Sequence, residues 1–226
     1  MNPIVFSSKT RFARFAAGLT LVAGVGLVHV STASAQSDAE KCQSTKAASA
    51  GKYIACVANN YSKASKKSEP KGHLKLDKCS SKVGGAFLKA EDKAAKKSAT
   101  CPSVGDGERQ VAILDACIDG VVVDLGGVPG PGGDEAKCQS SKVKEAGKYA
   151  GCRFKELSKA IKKGTTPDYT KCEDKLASKF GKLDDKGGCS TTGDLASVQA
   201  DIDFCFNKDS AGPEPAARFA GDFEAV

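Results

Sequence analysis

The ten cysteines are the residues of this chain best suited to chemistry. A thiol can form a disulfide, bind a soft metal or take part in redox exchange, and the spacing of the cysteines separates these uses. Structural zinc sites favour close C-x2-4-C pairs, thioredoxin-like sites use C-x-x-C, and covalent haem uses C-x-x-C-H. The sequence contains none of these patterns. It therefore predicts disulfides, and it predicts no metal site and no cofactor.

The cysteines form two sets of five. Their spacings are 14, 23, 22 and 16 residues in the first set and 14, 20, 17 and 16 in the second. The neighbouring residues also repeat: Lys-Cys-Gln-Ser surrounds the first cysteine, Gly-Lys-Tyr precedes the second, Phe follows the third at +8, and Gly-Asp follows the fourth at +4. The sets are Cys42, Cys56, Cys79, Cys101 and Cys117, then Cys138, Cys152, Cys172, Cys189 and Cys205. Such agreement indicates an internal duplication.

Each copy is predicted to contain three helices, because Ala, Lys, Glu and Leu are abundant and strand-like alternation is absent. In the second copy we expect helices over about 135–163 and 168–186 and a third that starts near Asp194, with Asp194 as its N-cap. In the first copy Asp106 is the matching cap. The predicted fold is all-α: two tandem disulfide-stapled three-helix repeats joined by a Gly/Pro linker.

Helix geometry limits how the cysteines can pair. Cys42 and Cys56 lie 14 residues apart on one helix, which is about 21 Å, whereas a disulfide spans only ~4.4–6.8 Å between Cα atoms. In an antiparallel bundle two thiols of each copy lie at the base and three at mid-height. The predicted pairs are Cys42–Cys101, Cys56–Cys79, Cys138–Cys189 and Cys152–Cys172. Cys117 and Cys205 then either join each other or remain thiols.

The N-terminus has the pattern of a secretory signal peptide over residues 1–35, with Lys9, Arg11 and Arg14 before an apolar run and Ala33-Ser34-Ala35 at its end. An uncleaved anchor is the alternative. No later segment is apolar enough to span a membrane. The remaining chain divides into repeat 1 (36–125), a Gly/Pro linker (126–133), repeat 2 (134–208) and a flexible tail (209–226).

Acid–base and nucleophilic catalysis lack candidates outside the signal segment. His73 is the one histidine there. A Ser-His-Asp or Cys-His arrangement could therefore form only through His73, and the second copy has no equivalent. Paired acids at Glu91-Asp92, Asp184-Asp185 and Asp201/Asp203 are interpreted as solvent charges, and Asp115 has no assigned role. Tyr53 and Tyr149 are expected to pack over their disulfides. No catalytic residue is predicted, and the protein is expected not to be an enzyme.

The net charge of +7 falls to +4 without the predicted signal segment. That excess is small for a nucleic-acid binder, and the basic residues are nearly all lysine rather than arginine. No specific nucleic-acid partner is expected. The lysines are interpreted as solvated helix faces.

The pattern K-C-Q, G-K-Y-x-x-C, K-C-x-x-K-x4-F and C-x3-G-D resembles Cys-rich helical-repeat proteins that bacterial genomes encode, usually with signal peptides. The resemblance covers nearly all of the chain after residue 35, and it implies a helical fold and export but no active site. Our hypothesis is a secreted or periplasmic structural or binding protein whose Lys-rich faces engage an anionic polysaccharide or protein surface. The alternative is a thiol-redox or metal-handling protein that uses the mid-bundle cysteines.

Overall fold

The computed structural model describes residues 36–67, 75–127, 133–204 and 206, and these residues contain helices and no strand. The helices are α1 (Asp38–Lys67), α2 (Asp77–Ala95), α3 (Gly107–Asp124), α4 (Gly133–Lys163), α5 (Thr170–Lys186) and α6 (Leu195–Phe204). The all-α prediction is confirmed. The predicted signal segment, His73, Cys205 and the predicted tail lie outside the described residues.

Local sequence explains where the long helices begin and end. At the start of α1 the Glu40 amide donates to Ser37 Oγ (3.1 Å) and the Ser37 amide donates to Glu40 Oε2 (2.7 Å), a reciprocal capping box. At the end of α4, Gly164 adopts a φ of +60°, and the Thr165 amide donates to the carbonyl of Ala160 (3.1 Å). This left-handed turn ends the helix, a conformation that glycine adopts readily.

The predicted linker differs from the structure at its C-terminal end. Gly126 and Gly127 form the turn after α3, and their amides donate to carbonyls in its last turn. Gly133, which was assigned to the linker, is the first residue of α4. Residues 128–132 lie outside the described ranges. A glycine suits this helix start because its φ is +89°, a value that L side chains rarely adopt.

The first helices of the two copies, α1 and α4, pack against each other in antiparallel directions. Ser158, near the end of α4, donates to the carbonyl of Ser44 near the start of α1 (2.8 Å), and Ser62 and Ser140 share a hydrogen bond (3.0 Å) at the opposite end. Between these contacts the backbones approach so closely that side chains are excluded. A Cβ added at Gly51 would lie 2.7 Å from the Cβ of Phe154, so glycine sets the helix separation.

This contact merges the cores of the two copies. One cluster of buried side chains contains residues of all six described helices. A smaller cluster of Cys42, Ala90, Ala94 and Cys101 closes one end of the α1/α2 hairpin. α1 and α4 lie side by side, α2 packs on α1, and α5 packs on α4. Each copy therefore contributes one helical hairpin, and the two hairpins meet through α1 and α4.

Candidate functional site

Four disulfides staple the described helices. The pairs are Cys42–Cys101, Cys56–Cys79, Cys138–Cys189 and Cys152–Cys172, with Cα separations of 5.2 to 5.9 Å. These are the pairs that bundle geometry predicted. Cys117 is also disulfide-bonded, and no cysteine within the described residues is free. Disulfides at this density are typical of an oxidising, extracytoplasmic environment.

The first copy holds a lysine inside the protein between two acids. The Lys46 side chain is 1% exposed, and its Nζ lies 2.6 Å from Glu91 Oε1 and 2.5 Å from Asp106 Oδ1. The amine also donates to the Ser103 carbonyl (2.7 Å) and lies 5.1 Å from the centre of the Phe87 ring. Burial on its own would raise the pKa of Asp106, but hydrogen bonds from Lys46 and Ser103 outweigh it, so that pKa is lower than usual.

The second copy repeats this arrangement. Lys142, again 1% exposed, places Nζ 2.6 Å from Asp184 Oδ1 and 2.8 Å from Asp194 Oδ2. It donates to the Thr191 carbonyl (2.8 Å) and lies 5.5 Å from the centre of the Phe180 ring. We refer to Lys46, Glu91 and Asp106, and to Lys142, Asp184 and Asp194, as the two lysine triads.

The triads correct the interpretation of Glu91 and Asp184, and they add side-chain contacts to Asp106, which holds the predicted N-cap position of α3, and to Asp194. Glu91 and Asp184 are not solvent charges, because each contacts a buried amine. The side chain of Asp106 makes no capping hydrogen bond to α3 and instead accepts from Lys46. The carboxylate of Asp194 accepts from Lys142 and Thr191. The sequence did contain a pattern that could have identified these lysines, because each lies four residues after the first cysteine of its copy.

Each copy also buries a tyrosine that donates to an aspartate. Tyr53 Oη donates to Asp115 Oδ1 (2.6 Å), and Tyr149 Oη donates to Asp203 Oδ1 (3.0 Å). Both tyrosines are 2% exposed, which agrees with their predicted place in the core. Asp115 thus gains a role, and Asp203 is not merely a solvent charge. Burial raises the pKa of Tyr53, and the hydrogen bond to Asp115 raises it further.

The second copy adds a buried cation beside its tyrosine. Arg153 pairs with Asp203 and donates to Tyr149 Oη (3.3 Å). Its guanidinium carbon lies 4.1 Å from the centre of the Tyr169 ring and 4.7 Å from that of Phe206, within the range of cation–π attraction. Burial raises the pKa of Tyr149, whereas the charge of Arg153 lowers it; the net shift is upward.

On the surface above the disulfides, a groove runs between the first two helices of each copy. In the first copy it contains two cavities of about 290 and 230 Å³ that share Ala86 as a lining residue. One cavity lies at Cys42 and the other at Cys56–Cys79 and Tyr53. The cysteines Cys42 and Cys56 are 14 residues apart on α1, so the groove extends for about 20 Å.

Lysines line this groove on both helices. In the first copy they are Lys41, Lys52, Lys82, Lys89 and Lys93. All five are exposed. Lys41 is paired with Asp38 (3.1 Å), whereas none of the other four forms an ion pair with any described residue. Unpaired lysines at this spacing produce a linear band of positive potential.

The second copy carries lysines at the same five positions relative to its cysteines. They are Lys137, Lys148, Lys175, Lys182 and Lys186, all exposed. Its cavity of about 290 Å³ lies over Tyr149 and the Cys152–Cys172 disulfide. Here Glu145, which replaces Ser49, pairs with Lys148 (2.6 Å). We call these surfaces the α1/α2 groove and the α4/α5 groove; the second is partly neutralised by its own acid.

Other kinds of site receive no support from the described residues. They contain no group of three or more His, Cys, Asp or Glu side chains that could hold a metal ion. None of the helices in those ranges has the length and apolar character that crossing a membrane requires. Comparison of the chain with protein-family models, with curated proteins and with solved structures finds no match.

Proposed function

We propose that the protein is exported to the periplasm or the cell exterior and binds linear anionic polymers through its α1/α2 and α4/α5 grooves. It acts as a structural or binding protein rather than an enzyme. The observation that carries the proposal is the repetition of five lysines at equal offsets from the cysteines of both copies. In the first copy these lysines stand on both walls of the groove, so their charges lie along one line.

The form of the groove indicates the class of partner. Lysine amines act as flexible point charges and do not enforce the planar geometry that arginine imposes. The groove is shallow, and its floor consists of small side chains and a disulfide. These features suit a flexible chain with regularly spaced sulfates or carboxylates, such as an acidic polysaccharide. Export is supported by the disulfides and by the signal-like segment over residues 1–35.

The binding test uses heparin as a linear sulfated probe and compares two triple variants of equal charge. Lys82→Gln, Lys89→Gln and Lys93→Gln remove the α2 wall of the groove. Lys63→Gln, Lys144→Gln and Lys155→Gln remove three exposed lysines that line none of the groove cavities. Calorimetric titration at two salt concentrations measures affinity and its salt dependence.

We expect the groove variant to bind heparin about 10-fold or more weakly, with a smaller salt dependence, because three close contacts are lost. The matched variant should bind almost as well as the unaltered protein. Equal weakening in both variants would mean that only net charge matters, and tight binding unchanged by salt would exclude the electrostatic proposal.

A further inference from the structure

The two lysine triads bring an amine into contact with carboxyl groups away from water. Lys142 Nζ is 2.8 Å from both carboxylate oxygens of Asp194, which places it roughly 3 Å from the carboxyl carbon, a near-attack separation. Lys46 Nζ approaches Asp106 to 2.5 Å. Water, which would otherwise favour the separated ions, is nearly excluded: both lysines are 1% exposed and the two aspartates 6%.

A third group completes each triad as a proton carrier. Glu91 Oε1 and Asp184 Oδ1 both lie 2.6 Å from the amine. Each of these acids is more exposed than the aspartate of its triad, at 10% and 24%. A nucleophile, an electrophile and an acid–base group within hydrogen-bond reach are the components of an acyl transfer.

We propose that Lys46 condenses with Asp106, and Lys142 with Asp194, to form two intramolecular isopeptide bonds. Glu91 and Asp184 transfer the protons. The inference is independent of the binding proposed for the grooves, since it concerns side chains beneath the surface.

The reaction balances without an oxidant, a reductant or an external reagent. The ammonium passes one proton to the neighbouring carboxylate, and the neutral amine forms an N–C bond with the Asp106 carboxyl carbon. The tetrahedral intermediate loses one carboxyl oxygen as water, which carries away two of the three ammonium hydrogens. One of these hydrogens is relayed by Glu91, which returns to its initial protonation state. One ammonium and one carboxylate become one amide and one water.

The aspartate is the acyl group because it is the more buried acid of each triad, at 6% exposure against 10% for Glu91 and 24% for Asp184, and because one of its oxygens accepts from a neighbouring side chain. Gln110 Nε2 donates to Asp106 Oδ2 (3.3 Å), and Thr191 Oγ1 donates to Asp194 Oδ2 (2.6 Å). A donor at that position stabilises the oxyanion of the intermediate. Condensation also removes two opposite charges from a site where the removal of each charge from water is costly.

The bond would tie α1 to the segment before α3 beside an existing staple. Lys46 lies four residues after Cys42, and Asp106 lies five residues after Cys101. The Cys42–Cys101 disulfide therefore holds the two segments in register for the condensation. The product would be a second cross-link that reductants do not break.

The experiment is intact and peptide mass spectrometry of the full chain, expressed with its N-terminal segment in a host that has an oxidising envelope. After denaturation, reduction and alkylation, the expected mass is lower than that calculated for the fully alkylated chain by one water per bond. Trypsin should fail to cut after Lys46, and a branched peptide joining Lys46 to Asp106 should persist under reducing conditions. Glu91→Gln should restore one water and release Lys46 for cleavage, while the four disulfides form as before.

Two results would overturn the proposal. A mass without any water deficit would show that the triads remain ionic. Asp106 is followed by Gly107, and an Asp-Gly step can also lose water by cyclising to a succinimide. A deficit accompanied by tryptic cleavage after Lys46 would identify that succinimide and exclude the bond in the first copy. The second copy has Leu195 after its aspartate and provides the control, since succinimide formation is much slower there.

Discussion

The two lysine triads share their geometry and differ in how far the second acid is removed from water. In the first copy Glu91 is 10% exposed, whereas in the second Asp184 is 24% exposed. Both aspartates, Asp106 and Asp194, are 6% exposed. A buried ion pair adds little net stability when intact, but removing one partner strands the other in a low-dielectric site. The comparison indicates that the first triad tolerates the loss of its lysine less well.

The largest expected effect is the loss of the triad lysine. Lys46→Met keeps most of the side-chain volume but removes the charge and the proposed cross-link, so Glu91 and Asp106 remain buried without a counterion. We expect the free energy of unfolding to fall by about 3–5 kcal/mol, and Lys142→Met to cost less, about 2–3 kcal/mol. Urea unfolding of the oxidised proteins, followed by circular dichroism, measures both.

Two further measurements sharpen that test. The penalty should shrink in acid, because the stranded carboxyl groups can then be protonated. Lys63→Met, at an exposed position of α1, should change stability by less than about 0.5 kcal/mol. If Lys142→Met proved more costly than Lys46→Met, exposure of the second acid would not be the deciding factor.

The triads also show how much of the structure could be predicted from the sequence. Cysteine spacing and helix rise were enough to predict the four described disulfides, because both depend on distance along a helix. The burial of Lys46 was missed because a lysine is ordinarily exposed, and its partners lie 45 and 60 residues away. The Phe at +8 and the Gly-Asp motif were seen as repeats, but only tertiary packing brings Phe87 and Asp106 to one amine.

The surroundings of Tyr53 and Tyr149 differ more than those of the two lysine triads. Next to Tyr149 the second copy has Arg153, where the first copy has Val57 at the matching position. The aromatic rings of Tyr169 and Phe206 enclose this cation, and the matching residues in the first copy are Leu76 and Ile118. A buried cation thus coincides with the aromatic rings that can stabilise it.

Replacing the arginine by the residue of the first copy should give the next largest effect. Arg153→Val removes the ion pair with Asp203 and three cation–π contacts. Because Asp203 is 39% exposed and can be rehydrated, we expect a loss of about 1–3 kcal/mol in thermal or urea unfolding. The stability of Arg153→Lys should lie between those of the unaltered protein and Arg153→Val, since lysine keeps the charge but lacks the planar group. Unchanged stability in Arg153→Val would contradict a structural role for the cation.

The third helices of the two copies, α3 and α6, differ at a position where α6 carries an acid that faces the other copy. Asp201 of α6 occupies the position of the buried Ile113 of α3. Burial raises the pKa of Asp201, and the neighbouring Asp124 raises it further. An acid whose pKa is raised on folding contributes stability below its ordinary pKa and loses that contribution as the pH rises through the folded value.

Asp201→Asn should therefore stabilise the protein at neutral pH by less than about 1 kcal/mol. The gain should disappear as the pH falls below the raised pKa, because Asp201 is then protonated in the native protein. Unfolding in urea across the acidic range checks this sign. A substitution that destabilises at neutral pH would show that the ionised carboxylate is needed where it lies.

The smallest expected effect is a difference in ionisation between Tyr53 and Tyr149. Asp115 raises the pKa of Tyr53, whereas Arg153 opposes the effect of burial on Tyr149. Tyr149 should therefore lose its proton at a lower pH than Tyr53 when the folded protein is titrated with alkali and followed by ultraviolet absorbance. Tyr53→Phe and Tyr149→Phe assign the steps of these two residues among those of the four tyrosines. In Arg153→Val the Tyr149 step should move to higher pH, since the opposing charge is gone, while the Tyr53 step stays in place. If both tyrosines shifted together, the alkaline transition would report unfolding of the shared core rather than the local charges that distinguish the copies.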